Sequence, residues 1–305
     1  MRPRISVVIP VHNTEMYLKE CLDSVLNQTM SEIQVVCIDD GSTDSSPMIL
    51  SEYAKRDARI TIITQEHQGP GSARNTAFPF LEGKYTHYVD SDDWVDIRYY
   101  EYSCHEAETS DAEIIVTGCH IVNEDWSVQH ILPEPTVRTT WNDKAALLLN
   151  TTAAWYKIFR TDFLRANNLR FCDGIRPNND LVHHWKAVIL ASKIQLLHQP
   201  LYYYRIREGS CQTTGGEGHL KVVDTIEEIR KFLVRYDFYK NCSSCLTCFK
   251  LTELFEKYEK LRPEFKTQMK ERILASLRNE DWQYIYGENT ISPECQEFYI
   301  QLMEK

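Results

Sequence analysis

Residues 33–44 read IQVVCIDDGSTD, and this stretch shows the pattern that repeats along the first hundred residues. A short, mostly apolar run is typical of a strand buried on both faces, and here it ends directly in a polar cluster. The same order of apolar run and polar cluster occurs three more times in the first hundred residues. The four predicted strands are ISVVIPV (5–11), IQVVCI (33–38), ITII (60–63) and YTHYV (85–89).

Helical segments separate these strands. Apolar spacing predicts a helix over 17–26, with Asn13 or Thr14 as its N-cap, and further helices over 45–56 and 72–81. Strands joined by helical crossovers form a parallel, doubly wound sheet, in which ligands bind outside the carboxyl ends of the strands. We therefore expect the polar clusters that follow the strands to converge at one edge. These clusters span residues 10–13, 39–44, 65–75 and 90–93.

The pattern is less regular after residue 110. The predicted elements of this part are a strand over 112–122, helices over 142–150 and 180–191, and a pair of short strands around Pro200. From residue 219 the chain is predicted to be helical, and Gly215–Gly218 is the expected boundary. We therefore predict an α/β domain over 1–215 and a helical C-terminal region over 216–305.

The net charge and the apolar content of the chain exclude some classes of function. The formal net charge of −10 argues against broad nucleic-acid binding, and the 43% hydrophobic content is enough for a sizeable core. No apolar run reaches the roughly 18 residues that a membrane span requires, and residues 1–4 lead into the first strand without the pattern of a signal peptide. Cytoplasmic residence is therefore expected, with peripheral attachment to the inner face of the membrane as an alternative.

Ten cysteines without a secretion signal predict reduced thiols rather than a disulfide framework. Three of them, Cys242, Cys245 and Cys248, have a spacing that fits either metal ligands or one face of a helix. We favour packing on a helix, because small thiols pack as apolar groups.

The polar clusters contain residue types that bind nucleosides and phosphates. Asp39 and Asp40 can accept hydrogen bonds from a base or a ribose, or they form only a turn and a helix cap. In the next cluster, Gly69 and Gly71 permit a close approach of the backbone, and Arg74 can pair with a phosphate; the alternative is a loop with a structural ion pair. The chain has neither a Walker lysine nor the Rossmann glycine fingerprint, so a nicotinamide or flavin enzyme is not expected.

Residues 87–94, HYVDSDDW, place three carboxylates within four positions. Residues two apart in an extended chain point the same way, so Asp90 and Asp92 can face one Mg²⁺ or Mn²⁺ ion, which prefers oxygen ligands. The alternative is an acidic turn that starts a helix at Trp94, with Asp93 as its cap.

Together these motifs resemble the inverting family 2 glycosyltransferases of the GT-A fold, of the bacterial surface-glycan type. The resemblance covers residues 5–213, and it implies that the domain over 1–215 is the nucleotide-sugar-binding and catalytic domain. It implies an α/β fold with a Rossmann-like, mostly parallel central sheet flanked by helices, followed by a C-terminal helical extension. The motifs that carry it, in the family's order, are VVIPVHN, VVCIDDGSTDSS, QGPGSARNTA, HYVDSDDW, PNNDLVHHWKAVILASKI and PLYYYRIREGS.

The resemblance implies transfer of a hexose or N-acetylhexosamine from a UDP-sugar to a hydroxyl of a glycan acceptor, in capsule, lipopolysaccharide or a similar polymer. Asp90 and Asp92 would be the family's DxD pair, which holds Mn²⁺ or Mg²⁺ against the diphosphate, with Asp90 contacting the ribose or a metal-bound water. Asp180 would be the general base, and Arg207 would contact the diphosphate. The residues that would hold the uracil and ribose are Pro10, Val11, Asn13, Asp39 or Asp40, Gly69 and Arg74.

One position departs from the family's pattern: Asn179 stands where a glutamate usually precedes the catalytic aspartate. Because Asp180 itself is retained, we expect an active enzyme. Because Asn179 replaces the usual glutamate, the alternative is a protein that binds a nucleotide sugar but has weak or no turnover. A nucleotidyltransferase is disfavoured, because PVHNTE after the first strand lacks the glycine-rich, lysine-bearing loop that such an enzyme would need.

The expected partners are a UDP-sugar donor and a glycan or lipid-linked glycan acceptor, and no nucleic acid. The C-terminal helices have three possible roles that stand equally: acceptor selection, homodimerisation, and docking at the membrane.

Overall fold

The computed structural model describes residues 2–132, 141–150, 152–172, 174, 178–207, 216–287 and 290–303. The chain divides into two compact units. The first unit comprises residues 1–173 and 187–207, and the second comprises 174–186 and 208–305. The second unit thus includes residues 174–186, which precede the boundary predicted at Gly215–Gly218. Gly215 itself lies outside the described residues. The functional division of the chain at residue 216 stays a prediction.

Four parallel strands form the N-terminal half of the sheet in the first unit, in the order β3-β2-β1-β4. The strands are β1 (Ile5–Val11), β2 (Ile33–Asp40), β3 (Ile60–Gln65) and β4 (Tyr85–Tyr88). The helices that connect them are α1 (Leu18–Leu26), α2 (Ser46–Arg56) and α3 (Pro70–Ala77). Every residue of β1 is buried, as expected for a central parallel strand. The predicted doubly wound arrangement of this half is confirmed.

The rest of the sheet is mixed and continues from β4 in the order β8-β6-β9-β5, with β7 paired to β6. Its strands are β5 (Trp94–Val95), β6 (Ile114–Val122), β7 (Val128–Leu132), β8 (Lys157–Arg160) and β9 (Ile194–Arg205). The predicted pair of short strands around Pro200 is wrong, because β9 is one strand. Its register against β6 shifts at Gly118, opposite Pro200. A proline has no N–H to donate, so it is tolerated at such an irregularity.

The alternative for the acidic turn, a helix that starts at Trp94, is also wrong. Trp94 begins β5 and pairs with Tyr203 of β9, and the two rings stack at 5.2 Å between centroids. Cross-strand aromatic pairs of this kind stabilise a sheet. The next helix starts only at Tyr99, and the remaining helices around this sheet are α4 (Tyr99–Ser110), α5 (Trp141–Asn150) and α6 (Thr161–Ala166).

The second unit is helical, as predicted. Helix α7 (Asn179–Leu190) begins in this unit, and the helices after it are α8 (Val222–Arg235), α9 (Tyr239–Lys260), α10 (Pro263–Ser276), α11 (Trp282–Ile285) and α12 (Pro293–Met303). The cysteines at 242, 245 and 248 all lie on α9, and Cys242 is buried. Within the described part of the chain, no helix is both long and apolar enough to cross a membrane.

His87 of β4 is a buried, neutral imidazole. Its Nε2 lies 2.5 Å from the carbonyl oxygen of Trp155, which can only accept, and its Nδ1 lies 3.2 Å from the hydroxyl of Tyr100. Burial lowers the pKa of His87 from 6.5 to about 3. Between these two values the unfolded chain binds a proton that the folded protein does not. The contribution of His87 to stability is therefore complete above pH 6.5 and is lost as the pH falls.

We expect His87→Gln to reduce the pH dependence of stability, because glutamine retains a donor and an acceptor but does not titrate. Between pH 7 and pH 5.5 the unfolding free energy of the wild type should fall by about 1 kcal/mol more than that of the variant. Urea titrations of both proteins at the two pH values measure this difference. The same loss in both proteins would show that His87 is not responsible.

Candidate active site

The polar clusters at the carboxyl ends of β1 to β4 are joined by hydrogen bonds and an ion pair. After β1, the side-chain oxygen of Asn13 accepts a bond from the Thr43 N–H at 2.8 Å. At the end of β2, the carboxylate of Asp40 accepts a bond from the Gly69 N–H at 2.6 Å. An ion pair links the third cluster to the fourth. The structure thus brings the four predicted clusters to one edge of the sheet.

The two neighbouring carboxylates of β2 have different surroundings. Asp40 is 2% exposed and accepts further bonds from the side-chain amide of Gln65 at 2.7 Å and the Gln68 N–H at 2.8 Å. It anchors the loop that leads into α3. Asp39 is also buried, at 4% exposed, but within the described residues its carboxylate accepts one hydrogen bond, from the Ser42 N–H at 3.0 Å. Asp39 is therefore the better candidate for binding a base or a ribose.

The other residues predicted to hold the nucleoside lie around this edge. Pro10 and Val11 are the last two residues of β1, and both are buried. Asn13 has a left-handed backbone, with a φ of 52°, and is exposed. Gly69 precedes α3 with a φ of 92°, a conformation that glycine adopts without steric penalty. The predicted need for glycine at this position has a physical basis.

Two histidines at this edge were not predicted as site residues. The rings of His12 and His67 stack with 3.8 Å between centroids, and their Nδ1 atoms lie 2.8 and 3.1 Å from the carbonyl oxygen of Asp40. Gly41 makes this possible, since a Cβ at its position would lie 2.9 Å from the backbone nitrogen of His67. The two histidines are far apart in the chain, and no local pattern indicates their contact.

The group formed by His12, Asp40 and His67 is the one set of three converging metal-ligating side chains among the described residues, with ligand atoms within 4.8 Å of one another. Its geometry does not fit a metal centre well. The carboxylate of Asp40 is buried and already accepts bonds from the α3 loop, and the two imidazole planes are within 23° of parallel. The Nδ1 atoms of both histidines also face the carbonyl oxygen of Asp40, so in this arrangement neither Nδ1 is directed at a metal ion.

The three carboxylates of HYVDSDDW have three different environments. Asp90 pairs with Arg74 at 2.5 Å, and Asp92 pairs with Arg207 at 2.5 Å. The side chains of these two aspartates are 28% and 21% exposed, whereas Asp93 is buried. The arginines offset the repulsion that the sequence implies, and Asp90 and Asp92 remain within reach of a ligand.

Asp93 connects the acidic turn to β9. It accepts hydrogen bonds from the Tyr202 hydroxyl at 2.7 Å and from the Arg205 N–H at 2.9 Å. Burial, followed by the charges of Asp92 and Asp90, raises the pKa of Asp93 well above its usual range. The alternative role of Asp93 as a helix cap is wrong, because a strand begins at Trp94 and the side chain of Asp93 is buried against Tyr202.

Three arginines surround this turn. Arg74 is 3% exposed and lies 5.0 Å from the ring centroid of Phe171. Arg205 is buried, and its Nε donates to the carbonyl oxygen of Asp92 at 2.9 Å. Arg207 is 27% exposed, so it is the one of the three that is best placed to reach a diphosphate.

The carboxylates at this edge fit the chemistry of Mg²⁺ or Mn²⁺. Such an ion is commonly bound by one or two carboxylates together with substrate phosphates, and it needs no third protein ligand. Asp92 is partly exposed. Within the described residues, one of its two carboxylate oxygens, Oδ2, is bonded, and it accepts from Nε of Arg207. Its other oxygen can serve as a ligand.

Asp180 lies in the second unit, in the first turn of α7, and is half-buried. Its neighbour Asn179 is 7% exposed.

The fold is that of an α/β protein whose polar clusters meet at the carboxyl ends of its parallel strands, which is where open α/β sheets bind ligands. The sequence model of the family called Glycosyl transferase family 2 matches residues 6–174 of this chain. The chain belongs to that family, and the predicted family and GT-A fold are confirmed.

The relatives include glycosyltransferase GlyA of Streptococcus pneumoniae serotype 4, 33% identical over 74% of this chain. Another is the uncharacterized glycosyltransferase EpsJ of Bacillus subtilis, 32% identical over 67% of this chain. The chain spans 34% of the length of GlyA and 62% of EpsJ. The crystal structure of S. aureus TarS 1–349 in complex with UDP-GlcNAc has the same fold, with a TM-score of 0.63, 20% identity, and coverage of 93% of this chain and 92% of TarS 1–349.

Proposed function

We propose that this protein is an inverting glycosyltransferase that transfers a hexose or N-acetylhexosamine from a UDP-sugar to a hydroxyl of a bacterial surface glycan. The observation that carries the proposal is the partly exposed carboxylate of Asp92 beside Arg207, at the ligand-binding edge of a family 2 fold. The complex of TarS with UDP-GlcNAc supports a uridine diphosphate donor.

The donor would bind along the carboxyl edge of the sheet. Asp39 accepts hydrogen bonds from the uracil or ribose, and the main chain of Pro10 and Val11 borders the nucleoside. Gly69 allows the backbone before α3 to approach it closely, and Arg207 donates to the diphosphate. These contacts would fix the nucleotide and leave the sugar carbon open to attack.

Asp92 would ligate the divalent cation, with Asp90 held beside it by Arg74. When bound, the cation neutralises the negative charge that develops on the departing diphosphate. Arg207 adds a second positive charge at the same place.

Asp180 would act as the general base. Its carboxylate accepts the proton of the acceptor hydroxyl while the hydroxyl oxygen forms a bond to the anomeric carbon. The bond from that carbon to the phosphate oxygen breaks, and its electron pair leaves with UDP. One displacement of this kind inverts the anomeric configuration.

A second candidate function is nucleotide-sugar binding with weak or no turnover. The buried amide of Asn179 favours it, because it stands where the family usually has a second carboxylate next to the base. UDP release in the presence of an acceptor panel distinguishes the two functions: an enzyme releases UDP in proportion to acceptor, whereas a binding protein does not.

The donor class is tested by thermal unfolding with UDP-glucose, UDP-GlcNAc and GDP-mannose, each with and without Mn²⁺. A ligand at 100 times its Kd stabilises the native state by about 2.7 kcal/mol. We expect at least one UDP-sugar to raise the Tm, and to raise it more with Mn²⁺. A rise with GDP-mannose alone would overturn the donor assignment.

We further propose that the helical region over 216–305 selects the acceptor, forms a homodimer or docks the protein at the inner face of the cytoplasmic membrane. The acceptor would be a glycan or a lipid-linked glycan. Sedimentation of the protein alone detects a homodimer, and sedimentation with anionic vesicles detects docking at the membrane.

A further inference from the structure

Trp126 has a backbone conformation that a bulky residue rarely adopts. It lies in the turn between β6 and β7, with a φ of 69°. The turn is closed by bonds from the Asn123 N–H to the Ser127 carbonyl and from the Trp126 N–H to the Asn123 carbonyl, both at 3.0 Å. Hairpins of this length usually carry glycine at the left-handed position, because a side chain there is strained.

Burial does not explain the tryptophan. Its side chain is 57% exposed, so most of its apolar surface remains in water. A large apolar side chain that is both strained and exposed stabilises the fold less than glycine would at the same position. Strain of this kind is typical of functional sites.

The exposed indole of Trp126 stands at the end of a column of aromatic rings. It contacts Trp94 with 4.8 Å between centroids, Trp94 stacks on Tyr203 at 5.2 Å, and Tyr203 stacks on His120 at 4.6 Å. Trp94, Tyr203 and His120 lie on β5, β9 and β6, so the sheet supports the ring that Trp126 contacts, and the planes of the two tryptophan rings are 44° apart.

This column lies beside the acidic turn. The guanidinium of Arg205 lies 4.6 Å from the ring centroid of Trp94 and 5.9 Å from that of Trp126, and it donates to the carbonyl oxygen of Asp92. On the other side, the hydroxyl of Tyr17 donates at 3.1 Å to Glu124, which belongs to the same turn as Trp126. The turn is thereby held next to the proposed diphosphate site.

We propose that Trp126 is a sugar-stacking residue, whose exposed ring packs against the apolar face of a pyranose. This inference rests on the proposed function. A flat aromatic surface suits the C–H face of a sugar ring, and the neighbouring carboxylate of Glu124 can accept bonds from its hydroxyls. The pyranose is that of the donor or that of the acceptor, since both have the same stacking chemistry.

Two variants separate stacking from a structural role. Trp126→Gly removes the ring and the strain, so we expect its unfolding midpoint in urea to equal or exceed that of the wild type. Its KM for the stacked substrate should rise about three- to tenfold. Trp126→Phe keeps a ring and the strain, and its KM should stay close to the wild-type value. A rise in the donor KM assigns the donor sugar, and a rise in the acceptor KM assigns the acceptor.

Two results would overturn the inference: a clear loss of stability in Trp126→Gly, or unchanged KM values for both substrates in that variant. If the wild type itself transfers no sugar, the proposed function fails. The inference is then decided by quenching of tryptophan fluorescence with methyl glycosides and glycan oligomers. Quenching that Trp126→Phe removes supports stacking, and quenching that is absent or equal in both proteins contradicts it.

Discussion

Asp92→Asn should abolish the metal-dependent part of UDP binding. Asparagine has the same shape as aspartate but no charge, and hard cations such as Mg²⁺ and Mn²⁺ prefer anionic oxygen. Removing even an outer-shell partner of a metal ligand costs about 10- to 100-fold in metal affinity, so loss of the ligand itself should exceed that range. Isothermal titration of UDP with and without Mn²⁺ measures the effect.

Asp96→Asn is a matched control for this variant. Asp96 has a similar exposed fraction, 25% against 21%, and it too lies next to an arginine, but it is outside the acidic turn. We expect it to bind UDP with the Mn²⁺ dependence of the wild type. If Asp92→Asn also keeps that dependence, the metal assignment is wrong.

Asp180→Asn should retain donor binding and lose transfer. The amide cannot accept the proton of the acceptor hydroxyl, and general-base catalysis contributes typically 10²- to 10⁴-fold. The expected result is a fall of that size in kcat, with the Kd for the UDP-sugar within about twofold of the wild type. Initial rates of transfer together with donor titration measure both quantities.

The control is Asp162→Asn, because Asp162 also lies in the first turn of a helix, α6. It removes the same favourable interaction with a helix dipole but is not part of the proposed site. We expect nearly normal turnover from this control. Nearly normal turnover in Asp180→Asn as well would refute the base assignment.

The parallel half of the fold could be predicted from the sequence because its information is local. Each buried strand of that half is a short apolar run, and the polar cluster that follows it marks its carboxyl end. The family motifs coincide with these clusters. For the same reason Asp40, Gly69, Arg74, Asp90 and Asp92 could be located at one edge before their contacts were known.

The remaining features depend on contacts between distant parts of the chain. The strand at Trp94 exists because β9 pairs with it, and the same strand turns Asp93 inward to Tyr202. The stacking of His12 on His67 depends on the loop that Asp40 anchors. Neither residue type nor spacing encodes such pairings, since tertiary packing overrides local preference.

Trp126 shows a further limit of local patterns. An exposed aromatic residue in a polar turn has no apolar periodicity that would single it out. Its left-handed backbone and the rings beneath it become visible only in the folded chain.

Transfer of a sugar from UDP with inversion fixes the anomeric configuration of the product, so determining that configuration decides whether the proposed reaction takes place. The protein is incubated with Mn²⁺, an α-linked UDP-sugar that raises its Tm, and a panel of glycan acceptors, and the products are examined by proton NMR. We predict a β-linked product whose formation requires Mn²⁺ and is lost in Asp180→Asn. An α-linked product, or no transfer to any acceptor by a protein that binds the donor, would contradict the account.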